Sequence, residues 1–397
     1  MTIHVIGAGL SGLATAWYLA DAGARVRVFE AGPRPGGLIQ TRREPEGLVE
    51  AAARGFTWSD RTGALFRAAG VQPCFAQEQS KRPYIFRNGR AMRWPLTPLE
   101  TAGVAARVSR AWVGRAMRPR RTETVDAWGR RVLGPSATSW LIAPALQGIY
   151  ASPPEALSAF AIFGRRGPSR GKLAAPPEGM GELIDRLHDG LRARGVEFEF
   201  DAPMTSIDSI APTAVCTNAP AAARLLAAHA PEVAGAIGRI RMVSLVTATA
   251  FFPPHADDLR GFGVLFPRSS GIEALGALFN AEIFSGRSAM RSETWIYGSL
   301  SPDGVPRTDA EVRRRLAADR AVLTGRTVAP VAMYVTPQIE ALPVYDEAVL
   351  EAEAALSRLP SRLTVTGNYL GRLGVSHLLE GAAEAAARLV GEGAAAA

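Results

Sequence analysis

The sequence predicts an α/β protein: a nucleotide-binding domain assembled from discontinuous segments, an antiparallel sheet and a helical region. Three observations predict it. A glycine-rich turn joins a strand to a helix at the very start of the chain. Short strands of the same open-sheet type recur near the middle and near the end. Between residues 241 and 300, apolar and polar residues alternate with the period of two that strands impose.

The elements follow in order. Thr2–Ile6 reads as a strand, and Ser11–Ala22 as a helix with Leu13, Ala16, Trp17 and Leu19 on one face. Gly23 ends that helix, and Arg25–Phe29 is the next strand. Asn88-Gly89 between Tyr84–Phe86 and Ala91–Trp94 signals a hairpin. Pro98–Ser139 is helical and basic, Gly181–Arg194 helical, Val196–Phe200 and Ala214–Asn218 extended. Strands are expected at Met242–Phe251, Gly263–Phe266, Glu273–Phe279, Thr294–Leu300, Val331–Val335 and Leu363–Thr366. Helices are expected at Asp309–Val322, Ala348–Leu359 and His377–Val390, with a frayed tail at Ala394–Ala397.

Composition narrows the class. The 397 residues are 47% hydrophobic and 21% charged, enough for two or three domains. Two cysteines, Cys74 and Cys216, allow one disulfide at most, which favours a reducing compartment. With no signal-peptide pattern and no apolar run of about 18 residues, the expected location is cytoplasmic. The net charge of +8 comes without a zinc finger or RNA-binding aromatic motif, so no nucleic-acid partner is expected. No cysteine or histidine cluster suggests a metal.

Residues 3–13 (IHVIGAGLSGL) place Gly-x-Gly-x-x-Gly between a strand and a helix, a Rossmann-like arrangement. Gly7 permits the turn, Gly9 lets backbone approach a pyrophosphate, and Gly12 lets the helix pack close. Leu10 and Ser11 begin the helix whose free N–H groups favour phosphate. Glu30, at the end of the second strand, suits a ribose hydroxyl and repels a 2′-phosphate. The pair Gly36-Gly37 that follows resembles the flavin amine oxidase superfamily, in which such a pair meets the FAD pyrophosphate.

Further segments resemble the FAD-dependent protoporphyrinogen oxidases. Leu48–Phe56 (LVEAAARGF) resembles a Glu-x-Gly-Pro-Arg element, with Ala52 and Ala53 in place of Gly-Pro. Residues 123–134 (ETVDAWGRRVLG), 144–158 (PALQGIYASPPEALS), 261–267 (GFGVLFP), 274–284 (ALGALFNAEIF), 339–345 (IEALPVY) and 366–381 (TGNYLGRLGVSHLLEG) match in order and spacing. The resemblance implies an FAD domain from residues 1–80, 168–222 and 336–397. It also implies a substrate domain of residues 223–335 with 81–87, and a helical membrane-facing domain of residues 88–165.

The implied reaction oxidises protoporphyrinogen IX to protoporphyrin IX, with dioxygen as acceptor and hydrogen peroxide as by-product. Coproporphyrinogen III is the alternative substrate, and another flavin oxidase or desaturase the alternative activity. The resemblance implies FAD contacts at Gly7, Gly9, Leu10, Ser11, Gly12, Glu30, Ala31, Gly36, Gly37, Met204, Gly367, Asn368, Gly374, Val375 and Ser376. It implies substrate contacts at Gly148, Phe262, Leu265 and Ile296. An arginine expected near position 100 is absent, where Leu99 and Glu100 stand, and Arg93 is the substitute. No acid–base residue is required, because hydride transfer needs the reacting carbon against the flavin and little else. His377 is the one histidine in a segment expected near the flavin.

Residues 90–131 carry ten arginines and three acids, interleaved with Trp94, Leu96, Leu99, Val104, Val108, Trp112, Val113 and Met117. This basic amphipathic pattern suits the surface of an anionic membrane, expected at the inner face of the cytoplasmic membrane. A homodimer is compatible with the sequence.

Overall fold

The computed structural model describes residues 2–80, 82–164, 171–208, 210–301, 304–371 and 373–393. The expected boundaries at 165 and 168 and the tail Ala394–Ala397 lie outside the described residues.

A five-stranded parallel sheet runs Glu197–Glu199, Arg25–Phe29, Thr2–Ile6, Thr213–Val215, Leu363–Val365. It therefore gathers the start, middle and end of the chain into one nucleotide domain. The helix Leu10–Asp21 has nine of its twelve residues buried, because it is covered by the sheet and by the helices Met180–Ala193 and Val375–Gly393. An apolar surface all round a helix marks a buried element.

A larger sheet of seven strands runs Ala332–Pro343, Met242–Phe252, Arg291–Gly298, Gly276–Phe279, Gly263–Leu265, Tyr84–Arg87, Arg90–Met92. The pair Tyr84–Arg87 with Gly263–Leu265 is parallel, and the rest are antiparallel. Asn88 and Gly89, both at positive φ, close the expected hairpin. Residue 335, an expected domain boundary, falls inside the strand Ala332–Pro343. That strand lies at the sheet edge, where Pro337, which has no N–H to donate, is tolerated.

The helical region divides in two. Val125, Trp128, Val132, Leu146 and Leu157 share one core with Val215, Val349 and Leu363 of the nucleotide domain. The helix Pro98–Val113 does not join it in the same way, since Ala111 is its single buried residue. Helix is interrupted after Gly114 and resumes at Val125, so the continuous helical stretch expected over 98–139 is broken.

Candidate active site

The glycine turn is built by contact. A Cβ on Gly7, at φ +101°, would lie 2.7 Å from the Cys216 carbonyl oxygen, and one on Gly12 would lie 1.8 Å from the Gly7 oxygen. Gly9 caps the first helix without any side-chain bond, so Leu10, Ser11 and Gly12 begin the helix with no side chain over their N–H groups. A Cβ on Gly9 would meet only Gly37, at 4.0 Å. The second glycine turn lies directly beside it. Gly36 N–H donates to the Ala8 carbonyl at 2.8 Å, and Gly36 and Gly37 both have positive φ. Two side-chain-free turns thus face each other, a cradle that fits a pyrophosphate.

Glu30 follows its strand and accepts from Ala8 N–H at 2.7 Å and Gly32 N–H at 3.0 Å. The exposed Ala31 is next to it. The Glu30 carbonyl accepts from Ala202 N–H at 2.9 Å, which brings the partly buried Met204 to the same end of the sheet. At the opposite edge of the sheet, Asn368 donates to the Ala341 carbonyl at 2.7 Å and accepts at its own carbonyl from the Tyr345 hydroxyl at 2.7 Å. A Cβ on Gly367 would strike the Tyr369 ring. Gly374, at φ +139°, precedes the helix that starts at Val375, and Ser376 Oγ donates to the Thr57 carbonyl at 2.9 Å. Arg34 also serves this site. It donates to the Gly37 and Ile39 carbonyls at 3.2 and 3.3 Å, and its position inside the segment between Glu30 and Gly36 was the available signal.

The substrate side follows from strand register. Ile85, Leu265, Gly276, Ile296, Thr247 and Thr336 occupy successive paired positions across the large sheet, so their side chains lie on one face. At one end of this row the helix Ala143–Tyr150 sits on the sheet: a Cβ on Gly148 would fall 2.7 Å from Leu265 Cδ2. At the other end the Ala51 carbonyl accepts from Thr247 Oγ1 at 3.2 Å and from Gln338 Nε2. The nucleotide domain thus lands on Thr247 and the helical region on Leu265. Ile296 lies between them, with Gly276 buried beside Leu265. Phe262, just before the strand Gly263–Leu265, packs against the nucleotide-domain core. Gly148, Leu265 and Ile296 therefore come together on one face of the sheet, the candidate cleft face, whereas Phe262 packs on the nucleotide-domain core. Gly276 and Thr247 were not expected there, because only long-range pairing places them.

Arg93 belongs elsewhere. Its guanidinium stacks 3.8 Å from the Tyr84 ring and donates to the Arg82 and Arg260 carbonyls. Tyr84 pairs with Val264 and packs on the opposite face of the sheet. Arg93 is a clamp between strand ends, and the expectation that it meets the substrate is corrected. Position 100 is also explained. Glu100 receives Arg87 through two bonds of 2.7 and 2.9 Å and closes a capping box with Thr97, which holds its carboxyl down at about 2. Arg87 in turn stacks 4.5 Å from the Trp140 ring.

Arg54 is the charged residue that the sequence reading passed over. It occupies the arginine position of the Glu-x-Gly-Pro-Arg-like element, which was the signal. Its Nε donates to Asn280 Oδ1 at 3.2 Å and its Nη1 to the Ala52 carbonyl at 2.9 Å. Burial pushes its guanidinium down to about 10. His377 pairs with Glu380 at 3.1 Å and lines a groove along the outer edge of Leu363–Val365. Tyr369 is fully buried.

A family model for flavin containing amine oxidoreductases matches residues 10–301. The chloroplastic protoporphyrinogen oxidase of Oryza sativa subsp. japonica is 26% identical over 474 aligned positions, covering 97% of this chain and 87% of the relative. The coproporphyrinogen III oxidase of Staphylococcus aureus is 25% identical over 181 positions, covering 41% of this chain and 39% of the relative. Among solved structures, an Exiguobacterium sp. 255-15 protein provisionally named a protoporphyrinogen oxidase superposes with TM-score 0.80 at 18% identity, covering 98% of this chain and 99% of that one.

Proposed function

Because the chain belongs to the flavin containing amine oxidoreductase family, and is thus an FAD-dependent oxidase, we propose that it oxidises protoporphyrinogen IX to protoporphyrin IX. The reaction would consume three dioxygen molecules and release three of hydrogen peroxide, since six electrons leave the ring in pairs. Bound FAD would supply the hydride acceptor. The chain's own contribution is placement. Gly9, Gly12, Gly36 and Gly37 would hold the pyrophosphate, and Glu30 a ribose.

The observation that carries the substrate reading is the cleft face. Leu265 and Ile296, both partly exposed on this face with Gly148 packed over Leu265, give an apolar surface suited to a flat macrocycle. The likeness to the rice enzyme extends over nearly the whole chain, whereas that to the staphylococcal enzyme covers less than half, which favours the less carboxylated substrate. The test is to purify the flavoprotein and follow porphyrin fluorescence and oxygen uptake with each porphyrinogen. Fluorescence growth with protoporphyrinogen supports the proposal. Growth with coproporphyrinogen alone moves the assignment to the alternative substrate, and none with either removes the porphyrinogen reading.

The helix Pro98–Val113 suggests where the enzyme works. With one buried residue in sixteen and with Leu99, Trp112 and Val113 about three-quarters or more exposed, it offers an apolar and basic surface to an anionic bilayer. No helix among the described residues is long and apolar enough to cross a membrane, so the proposed contact is peripheral.

A further inference from the structure

Beneath residues 50–54 lies a small cavity of about 10 Å³, lined by Glu50, Arg54, Asn280, Arg287, Ser288 and Ser292, among others. That is room for one guest of about the size of a water molecule. Arg54 leaves its buried Nη2 without an acceptor, and Arg287 leaves its buried Nε without one. Arg287 is otherwise held by the Pro176 carbonyl at 2.8 Å and by Glu50 at 3.6 Å. The one carboxylate is already engaged: Glu50 accepts from Thr41 Oγ1 at 2.7 Å and from Met180 N–H at 2.8 Å. Ser288 Oγ donates to the Glu46 carbonyl at 2.7 Å. Ser292 Oγ accepts from Asn280 at 3.0 Å, which leaves its hydroxyl proton to donate.

Two guanidinium groups thus face one carboxylate, and donors outnumber acceptors. Buried donors left unmatched are costly, and a buried excess charge calls for a counter-charge. We infer that this cavity binds a single small inorganic anion, a halide, between Arg54 and Arg287. The anion closes the polar layer between residues 50–54 and the strand Arg291–Gly298. It thereby fixes the segment whose Ala51 carbonyl rests on the sheet beside the cleft. This rests on the arrangement of donors and not on which porphyrinogen is oxidised.

The test uses the flavin-loaded enzyme and bromide as probe. Crystals grown in sodium bromide should give an anomalous peak within hydrogen-bonding reach of both Arg54 and Arg287. Replacing sodium gluconate by bromide at equal ionic strength should raise the melting temperature by about 1–3 °C. Arg287→Met removes one donor and should abolish that rise. If that variant does not fold, Ser292→Val fills the cavity and should abolish the rise with flavin still bound. Density for water alone, with bromide at surface sites only, overturns the inference. So does a bromide response that survives in Ser292→Val.

Discussion

Gly12 and Gly7 are in backbone contact: a Cβ on Gly12 would lie 1.8 Å from the Gly7 carbonyl oxygen. That oxygen is backbone and cannot rotate away, so the helix Leu10–Asp21 would have to lift off the first strand. Overpacking a core typically costs about 1–3 kcal/mol, and this contact lies in the most constrained turn of the chain. Gly12→Ala is expected to yield protein with little or no flavin, read as the ratio of flavin to protein absorbance. Full flavin content in Gly12→Ala would show that the cofactor does not depend on this turn.

Ile296 gives a test of the cleft separate from the cofactor. Its side chain lies on the cleft face between Leu265 and Thr247, away from the glycine cradle. Ile296→Gln places an amide where an apolar ring would rest. The desolvation cost of about 1–3 kcal/mol predicts a fall in kcat/KM of roughly tenfold to hundredfold. Flavin absorbance should be unchanged. An unaltered kcat/KM would put the substrate somewhere other than on this face.

The capping carboxylate at position 100 predicts a pH dependence. Arg87 and the Thr97 N–H hold Glu100 at about 2, below its ordinary carboxylate value. A depressed folded-state value means that the group stabilises the fold above its unfolded value, and that this support is lost as pH falls towards about 2. Glu100→Gln should therefore melt below the wild type at neutral pH, and the two should converge between about pH 4 and pH 2. Melting curves across that range decide it; a constant gap down to the lowest pH would contradict the pairing.

What the sequence reveals, and what it hides, divides by range. The cradle is local. Gly7, Gly9 and Gly12 fall within six residues, and Gly36-Gly37 follows the next strand, so spacing suffices to find them. The cleft is not local. Gly276, Ile296 and Thr247 become neighbours only through the pairing of three strands, and no pattern within one strand reveals its register. Arg93 illustrates the penalty. Successive strand residues point to opposite faces, so an arginine near the cleft in sequence stands on its far side, stacked on Tyr84. Glu100 was a local signal left unread: Thr97-x-x-Glu100 before a helix is a capping box. It assigns that carboxylate to the helix end and to Arg87, not to a substrate.

The exposed helix makes the last prediction. Val104, Val108 and Trp112 recur at helical spacing, and that stripe is expected to form one apolar face. In the fold it divides. Val104 and Val108 are half-buried beside Ala111, while Trp112 turns outward with Val113 and Leu99. Packing against its own domain therefore accounts for part of the helix and leaves its largest side chain uncovered. Arg110 and Arg115 flank Trp112, so attraction to anionic headgroups and insertion of an indole would act together. The protein is expected to float with anionic liposomes at low salt, less at high salt, and not with neutral ones. Trp112→Ser combined with Leu99→Ser should reduce flotation at least several-fold while leaving flavin content unchanged, because neither side chain enters a core. Failure to float at either salt concentration would remove the membrane proposal and leave this helix as a surface for some other partner.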